Sequence, residues 1–330
     1  MSSEPRVVVL ADMPDLVVTT DSVTIPRAAD VDITAGDIIV STMGEGFLRS
    51  VDRVEQSDGV IVLTTSDAGL DEAVPEAHVE GSFRAGKGDA YQLPYIAVAF
   101  ADKQLVNNDK LTARLVNGSL SFMPEVDLDL KVENHRLEEM ALVMRGRLEG
   151  ALDLELDVHE VEVGPDITLW SSPPAIFYQQ VGALPVVETV TTSVTLKLQA
   201  VARGAGHVRI DASALANLAG GIRYTSAAGW EPIADVNVDA SSALADASAT
   251  LKQLGIDAWL AVRADVRLYG VAGPFVAAGP HVEVVRDLAT GDFHAGVGVE
   301  GRAGGALKLW HMTVPVTPQL QLFDEMRPIF

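Results

Sequence analysis

The sequence predicts an all-β fold: a small N-terminal β domain, then a large antiparallel β-sandwich or layered sheet of long amphipathic strands. Three observations carry this expectation. Apolar side chains recur with period two and almost nowhere with period 3.6. Gly, Asn and Asp clusters punctuate the alternating runs. A chain of 330 residues, 48% of them hydrophobic, supplies a sizeable core.

Residues 1–90 form the small domain in this reading. Short strands are expected over Val7–Leu10, Leu16–Thr19, Asp37–Ser41, Phe47–Val54 and Val60–Thr65. Ser57-Asp58-Gly59 between the last two is a strong hairpin signal. The acidic stretch Asp71–Glu80 and a linker-like Ala85-Gly86-Lys87-Gly88-Asp89 close this part.

Residues 91–330 carry the long strands. Asn117-Gly118 reads as a tight turn between Leu111–Val116 and Ser119–Met123. Leu152, Leu154, Leu156 and Val158 alternate with Asp153, Glu155 and Asp157. Val190, Val194, Leu196 and Leu198 alternate with Thr191, Ser193, Thr195, Lys197 and Gln199, and the even positions from Ala258 to Leu268 are again apolar. Such strands are dry on one face and wet on the other. His159-Glu160 interrupts its run and predicts a β-bulge. Ala240–Leu254 reads either as a turn of helix or as a small-residue strand, and Thr290-Gly291-Asp292 as a turn before Phe293–Val299. Alanine and glycine are abundant from Gly204 to Gly305, and small side chains let facing sheets approach closely.

The 46 acidic against 24 basic side chains give a net charge of -22. That argues against a nucleic-acid binder, whose footprint is a basic face. The chain has no cysteine, so disulfides, thiolate metal sites and a cysteine nucleophile are excluded. No segment approaches the roughly 20 apolar residues of a membrane-spanning helix. Met1–Pro5 lacks the basic and apolar regions of a secretion signal; an exported mature form and a cytoplasmic protein both fit.

Gly36-Asp-Ile-Ile-Val-Ser-Thr-Met-Gly-Glu-Gly-Phe-Leu-Arg-Ser-Val51, continued by Val60-Ile-Val-Leu-Thr-Thr-Ser-Asp-Ala-Gly-Leu-Asp-Glu-Ala73, resembles a module of uncharacterised, predicted secreted bacterial β-rich proteins. Ser50 stands where that module has lysine, and Gly69 where it has threonine. Val181–Val187 and Tyr269–Phe275 resemble later parts of the same proteins. The resemblance implies an extracellular or cell-surface address and brings no catalytic residues with it.

Few motifs carry chemistry. Gly296-Val-Gly298-Val-Glu-Gly301 matches the dinucleotide fingerprint but lies among alternating residues with no helix after it, so it reads as a glycine-rich strand. The seven histidines are scattered and form no zinc spacing, and no GxSxG elbow or P-loop is present. Asp127 and Asp129 on one strand, with Asp153, Glu155 and Asp157 on another, are the candidate metal ligands. Ca2+ is the ion suited to such oxygens, provided the two strands are neighbours. A solvated face that discourages edge pairing explains the same alternation. Asp67, Asp71 and Glu72 offer a loop alternative. Trp170, Tyr178, Trp230, Trp259 and Trp310 are candidates for stacking on sugars, with burial in the core or at its rim as the plainer role.

The expected function is therefore that of a non-enzymatic, extracellular structural or surface-assembly protein. It would self-associate as a fibre or sheath subunit, with a terminus pairing at a sheet edge, because Arg6–Leu10 and Leu320–Phe323 are apolar for chain ends. Two alternatives stand beside it: a carrier of a hydrophobic ligand or lipid, and a calcium-dependent adhesion or glycan-binding module.

Overall fold

The computed structural model describes residues 5–10, 15–26, 31–57, 59–73, 76–85, 92–93, 95–159, 166–181, 184–247, 253–270, 273–286, 292–305 and 317–328. The protein is all-β. Three sheets account for the described strands, and the described helix is a single short turn, α1 (Leu70–Ala73).

The first sheet is built from β1 (Val7–Leu10), β2 (Val17–Val18), β3 (Ser22–Pro26), β4 (Ile38–Ser41), β5 (Phe47–Ser57) and β6 (Val60–Asp67), in the order β1-β4-β5-β6-β3-β2. Only β1 and β4 run parallel among these pairs. The hairpin predicted at Ser57-Asp58-Gly59 forms: Ser57 pairs with Val60, and Gly59 takes φ +88°, which favours glycine. Val23, Ile25, Ile39, Val51, Ile61 and Leu63 fill the core of this sheet. Arg6 ties its start down by bonding Asp37 at 2.7 Å and Asp32 at 3.1 Å. Burial opposes the charge of Asp37, yet Arg6 and Thr34 hold its carboxyl below the usual range.

The second sheet has eight strands. It contains β7 (Ala77–Ala85), β8 (Gln92–Leu93), β9 (Ile96–Asn107), β10 (Leu111–Phe122), β11 (Glu125–Glu133), β12 (Arg136–His159), β16 (Ala205–Thr225) and β17 (Gly229–Ala247). Its spine is β12, 24 residues long, about 80 Å of extended chain. On one side β12 pairs with β16 over its length; on the other, β11 covers its first half and β10 its second. β11 turns into β12 through Asn134 and His135, both at positive φ (50° and 57°), the geometry of a tight two-residue hairpin. Two expectations fail here. Asn117-Gly118 is not a turn: β10 passes straight through it, with only a register shift between Leu115 and Asn117. His159 marks no bulge, because the β12–β16 register runs unbroken to His159↔Ala205. In both places the interstrand ladder overrides a local turn or bulge signal.

The third sheet contains β13 (Asp166–Ser171), β14 (Ala175–Val181), β15 (Leu184–Arg203), β18 (Gln253–Leu268), β19 (Pro274–Arg286), β20 (Phe293–Gly305) and β21 (Thr317–Pro328). β15 carries β13 and β14 on one flank and β18 on the other, and β19, β20 and β21 follow in order. The described part of Ala240–Leu254 resolves to strand: residues 240–247 belong to β17 and 253–254 to β18. The linker-like residues 86–89 and the turn residues Thr290-Gly291 lie outside the described residues.

The second and third sheets pack face to face, β12 against β19 and β16 and β17 against β20. Side chains on the predicted dry phases meet there: Leu152, Leu154 and Leu156 from one sheet, and Leu196, Leu198, Leu260 and Val262 from the other, are all fully buried. Small residues set the spacing, as expected; a Cβ on Gly150 would lie 2.9 Å from the Pro280 ring of the facing sheet. Gly279 is among the tightest such places within the third sheet, because a Cβ there would sit 1.8 Å from the Leu260 carbonyl oxygen. Gly279→Ala is expected to cost about 3 kcal/mol or more, since the neighbouring backbone must shift. An unchanged melting temperature would show that β18 and β19 yield freely.

Candidate functional site

The eight-stranded sheet keeps apart the two groups of carboxylates singled out in the sequence. Asp127 lies opposite Val143 on β12, and Asp153 is ten residues further along that strand (153 − 143), roughly 33 Å away. The reason is topological: β10 and β11 lie end to end along one edge of β12, so Asp127 and Asp129 face one half of it and Asp153, Glu155 and Asp157 occupy the other. Each carboxylate meets a cation or a histidine. Asp127 bonds Arg145 and accepts from Ser82 at 2.8 Å, and Asp129 lies 3.0 Å from His78. Arg209 grips Asp153 through two bonds of 3.0 and 2.8 Å. Glu155 lies 3.8 Å from both Arg114 and His207, and Asp157 2.8 Å from His207. The wet face is thus laced by cross-strand ion pairs. Sequence reading missed Arg145, His207 and Arg209, because cross-strand partners follow from register rather than spacing. His78, Glu80 and Asp129 bring three ligand-type atoms within 4.8 Å of one another on this face. Of the loop carboxylates, Glu72 accepts from Gly69 N–H at 2.8 Å.

A second place of interest is the junction between the first sheet and the sandwich. The three segments quoted for the bacterial resemblance meet there. Gly46, at φ +73°, lies so close to Val187 that a Cβ would come within 2.7 Å of it. Tyr269 N–H donates to the Val187 carbonyl at 2.9 Å, and Gly270 abuts Glu45. A groove of about 580 Å³ opens at this junction, lined in part by Glu45, Arg49, Asp67 and Tyr269. Behind it Glu188 points inward with Val186 and Val190, and is only 2% exposed. Its Oε1 has no hydrogen-bond partner, and burial pushes its carboxyl up to about 7. Burial and the neighbouring Glu188 raise the phenol of Tyr269, whose hydroxyl donates to the Pro185 carbonyl at 2.9 Å. The signal for Glu188 was in the sequence, as an acid on the apolar phase of its strand.

A third cluster lies on the outer face of the seven-stranded sheet. Buried His281 sits 3.2 Å from Asp324, 3.5 Å from Asp257 and 3.8 Å from the buried carboxylate of Glu300. Arg302 bonds Glu300 at 2.5 Å. Burial disfavours the imidazolium, but Asp257, Asp324 and Glu300 outweigh it and lift His281 to about 8. Three carboxylates and two cations thus form one ionic cluster across β18, β19, β20 and β21.

The sheet edges differ in how they are closed. β17 and β21 run near each other, and Arg327 of β21 donates to the Val238 carbonyl at 2.7 Å. The opposite edge of the eight-stranded sheet is β9, which pairs only with β10 among the described residues. Its first six residues, Ile96-Ala-Val-Ala-Phe-Ala101, carry no charge. Both terminal strands, β1 and β21, occupy edges of their own chain's sheets, and Val9 on β1 is 50% exposed.

Comparison with family models, with curated proteins and with solved structures finds no match for the chain.

Proposed function

We propose that the protein is a non-enzymatic structural subunit of an extracellular or cell-surface assembly, and that it self-associates through sheet edges. The observation that carries this reading is the free edge of β9: six uncharged residues, with Ile96, Val98 and Phe100 among them, and a backbone unpaired on one side among the described residues. An edge of this kind is a template for another strand, and the partner proposed is β9 of a second copy, joined antiparallel about a two-fold axis. The exposed Val9 on β1, the edge of the first sheet, supplies the second contact that a polymer requires. The acid excess supports the same picture, because ion-paired carboxylates on the sheet face disfavour uncontrolled stacking.

Sedimentation velocity tests the proposal. The wild-type chain is expected to form species larger than its 35.0 kDa monomer in a concentration-dependent way. Ala97→Lys with Ala99→Glu, both at exposed positions of β9, is expected to return it to monomer with an unchanged circular dichroism spectrum. A wild-type protein that stays monomeric at high concentration would reject β9 as the contact.

A further inference from the structure

We infer that the outer face of the seven-stranded sheet holds a binding cleft for an oxyanion, a carboxylate or a sulfate or phosphate group. The cleft measures about 120 Å³, and Asp166, Lys197, Trp259, Arg263, Phe275 and Arg302 line most of it. These residues come from five adjacent strands, β13, β15, β18, β19 and β20. Neighbouring strands lie about 4.8 Å apart, so this face must curl for their side chains to converge.

Charge gives the first argument. Three cations, Lys197, Arg263 and Arg302, line the cleft together with Asp166, and Asp265 and Glu300 pair with the two arginines. A concave place where three cations gather in a chain of net charge -22 is where an anion finds charged donors.

Donor accounting gives the second. Arg263 spends its Nε and Nη2 on Asp265, at 2.8 and 2.6 Å, and its guanidinium carbon lies 3.7 Å from the centre of the Phe275 ring. Arg302 spends Nε on Glu300 and lies over Trp259 at 4.6 Å, and among the described residues both of its terminal amino groups are left for a ligand. Two such nitrogens form the fork that matches a pair of anion oxygens. Trp259, only 6% exposed, carries a buried indole N–H that has no hydrogen-bond partner among the described residues. The indole N–H of Trp230 is likewise unpaired among the described residues, so what sets Trp259 apart is its place beside Arg263 and Arg302. An unbonded indole N–H beside two partly unsatisfied guanidinium groups points to an acceptor-rich ligand.

The aromatic rings are not a sugar platform by themselves, because the guanidinium groups already cover them. They pack against the guanidinium groups and restrict their movement. The inference does not depend on self-association through β9, since the cleft lies on the other sheet.

Isothermal titration at constant ionic strength tests it on the full chain. Inorganic sulfate, inorganic phosphate and acetate probe the free ion, and glucuronate and glucose 6-sulfate probe the same groups carried on a sugar. Saturable one-site binding of at least one probe is expected, with tighter binding of the sugar-borne forms assigning a glycan source. Trp259→Phe keeps the ring and removes the donor, and is expected to weaken binding about tenfold; Arg302→Met is expected to weaken it further. Lys110→Ala, on the other sheet, should bind as wild type. Absence of saturable binding to every probe, or Trp259→Phe and Arg302→Met variants that fold and bind like wild type, would overturn the assignment.

Discussion

Replacing Glu188 by methionine is expected to stabilise the protein by about 3 kcal/mol at pH 8. The carboxyl of Glu188 is raised from its ordinary 4.5 to about 7 by burial alone; at about 1.4 kcal/mol per pH unit, the 2.5-unit difference corresponds to about 3 kcal/mol. The folded protein holds this proton more tightly than the unfolded chain, so between about pH 4.5 and 7 the native state binds more protons. Stability therefore falls as pH rises through that window and stays reduced above it. Methionine has similar length, needs no hydrogen bond and suits the apolar phase shared with Val186 and Val190. Urea denaturation across the pH range should show Glu188→Met losing most of the decline between pH 4.5 and 7. A variant less stable than wild type at pH 8 would mean that the carboxylate has a favourable role in the folded protein, such as holding a bound cation.

His281→Leu is expected to have the opposite effect, destabilising by about 3 to 5 kcal/mol. Removing one member of a buried ionic cluster strands the rest. His281 is lifted from 6.5 to about 8 by Asp257, Asp324 and Glu300 against the penalty of burial. Its contribution is fully present below about pH 6.5 and is lost as pH rises through 8. In the wild type this adds to the decline set by Glu188. On the acid side the depressed carboxyls of Asp37 and Asp257 act the other way, since their stabilisation is lost as pH falls below about 3.8. Thermal melts should thus show greatest stability at mildly acidic pH. Adding Glu300→Gln to His281→Leu should recover part of the loss; a single variant as stable as wild type at pH 6 would show that the carboxylates are solvated without the imidazolium.

The His281 cluster and the Trp259 cleft share β18, β19 and β20 and divide the outer face between them. Lys197, Trp259 and His281 lie in one row across the strands, and Glu300 and Arg302 are two residues apart on β20. Glu300 spends its charge on both cations, so it sets how much of Arg302 is left for a ligand. Elsewhere on that face Thr191, Ser193 and Gln199 follow the predicted wet phase, whereas Val187 and Thr189, nearer the first sheet, are buried.

Alternation was legible in the sequence wherever one face of a strand is wet. The pleat sends consecutive side chains to opposite faces, so Leu152 to Val158 and Val190 to Leu198 announced both their strands and their buried sides. The Asp58-Gly59 hairpin was legible for a similar reason, since glycine at positive φ is a demand made by the turn itself. Pairing is a different matter. Asn117-Gly118 carries the same local turn signal, yet it lies inside β10 because β9 and β12 hold that strand extended from both sides. Asp127 and Asp153 looked like partners in one cation site, and only the end-to-end placement of β10 and β11 along β12 parts them. Trp259 sits on the wet phase and is nevertheless buried, because five strands curl their side chains over it. Local geometry, which a few consecutive residues settle, was the sequence's to determine. Register, curvature and the neighbours of each charge arise from residues tens of positions apart, and the tertiary structure alone decided them.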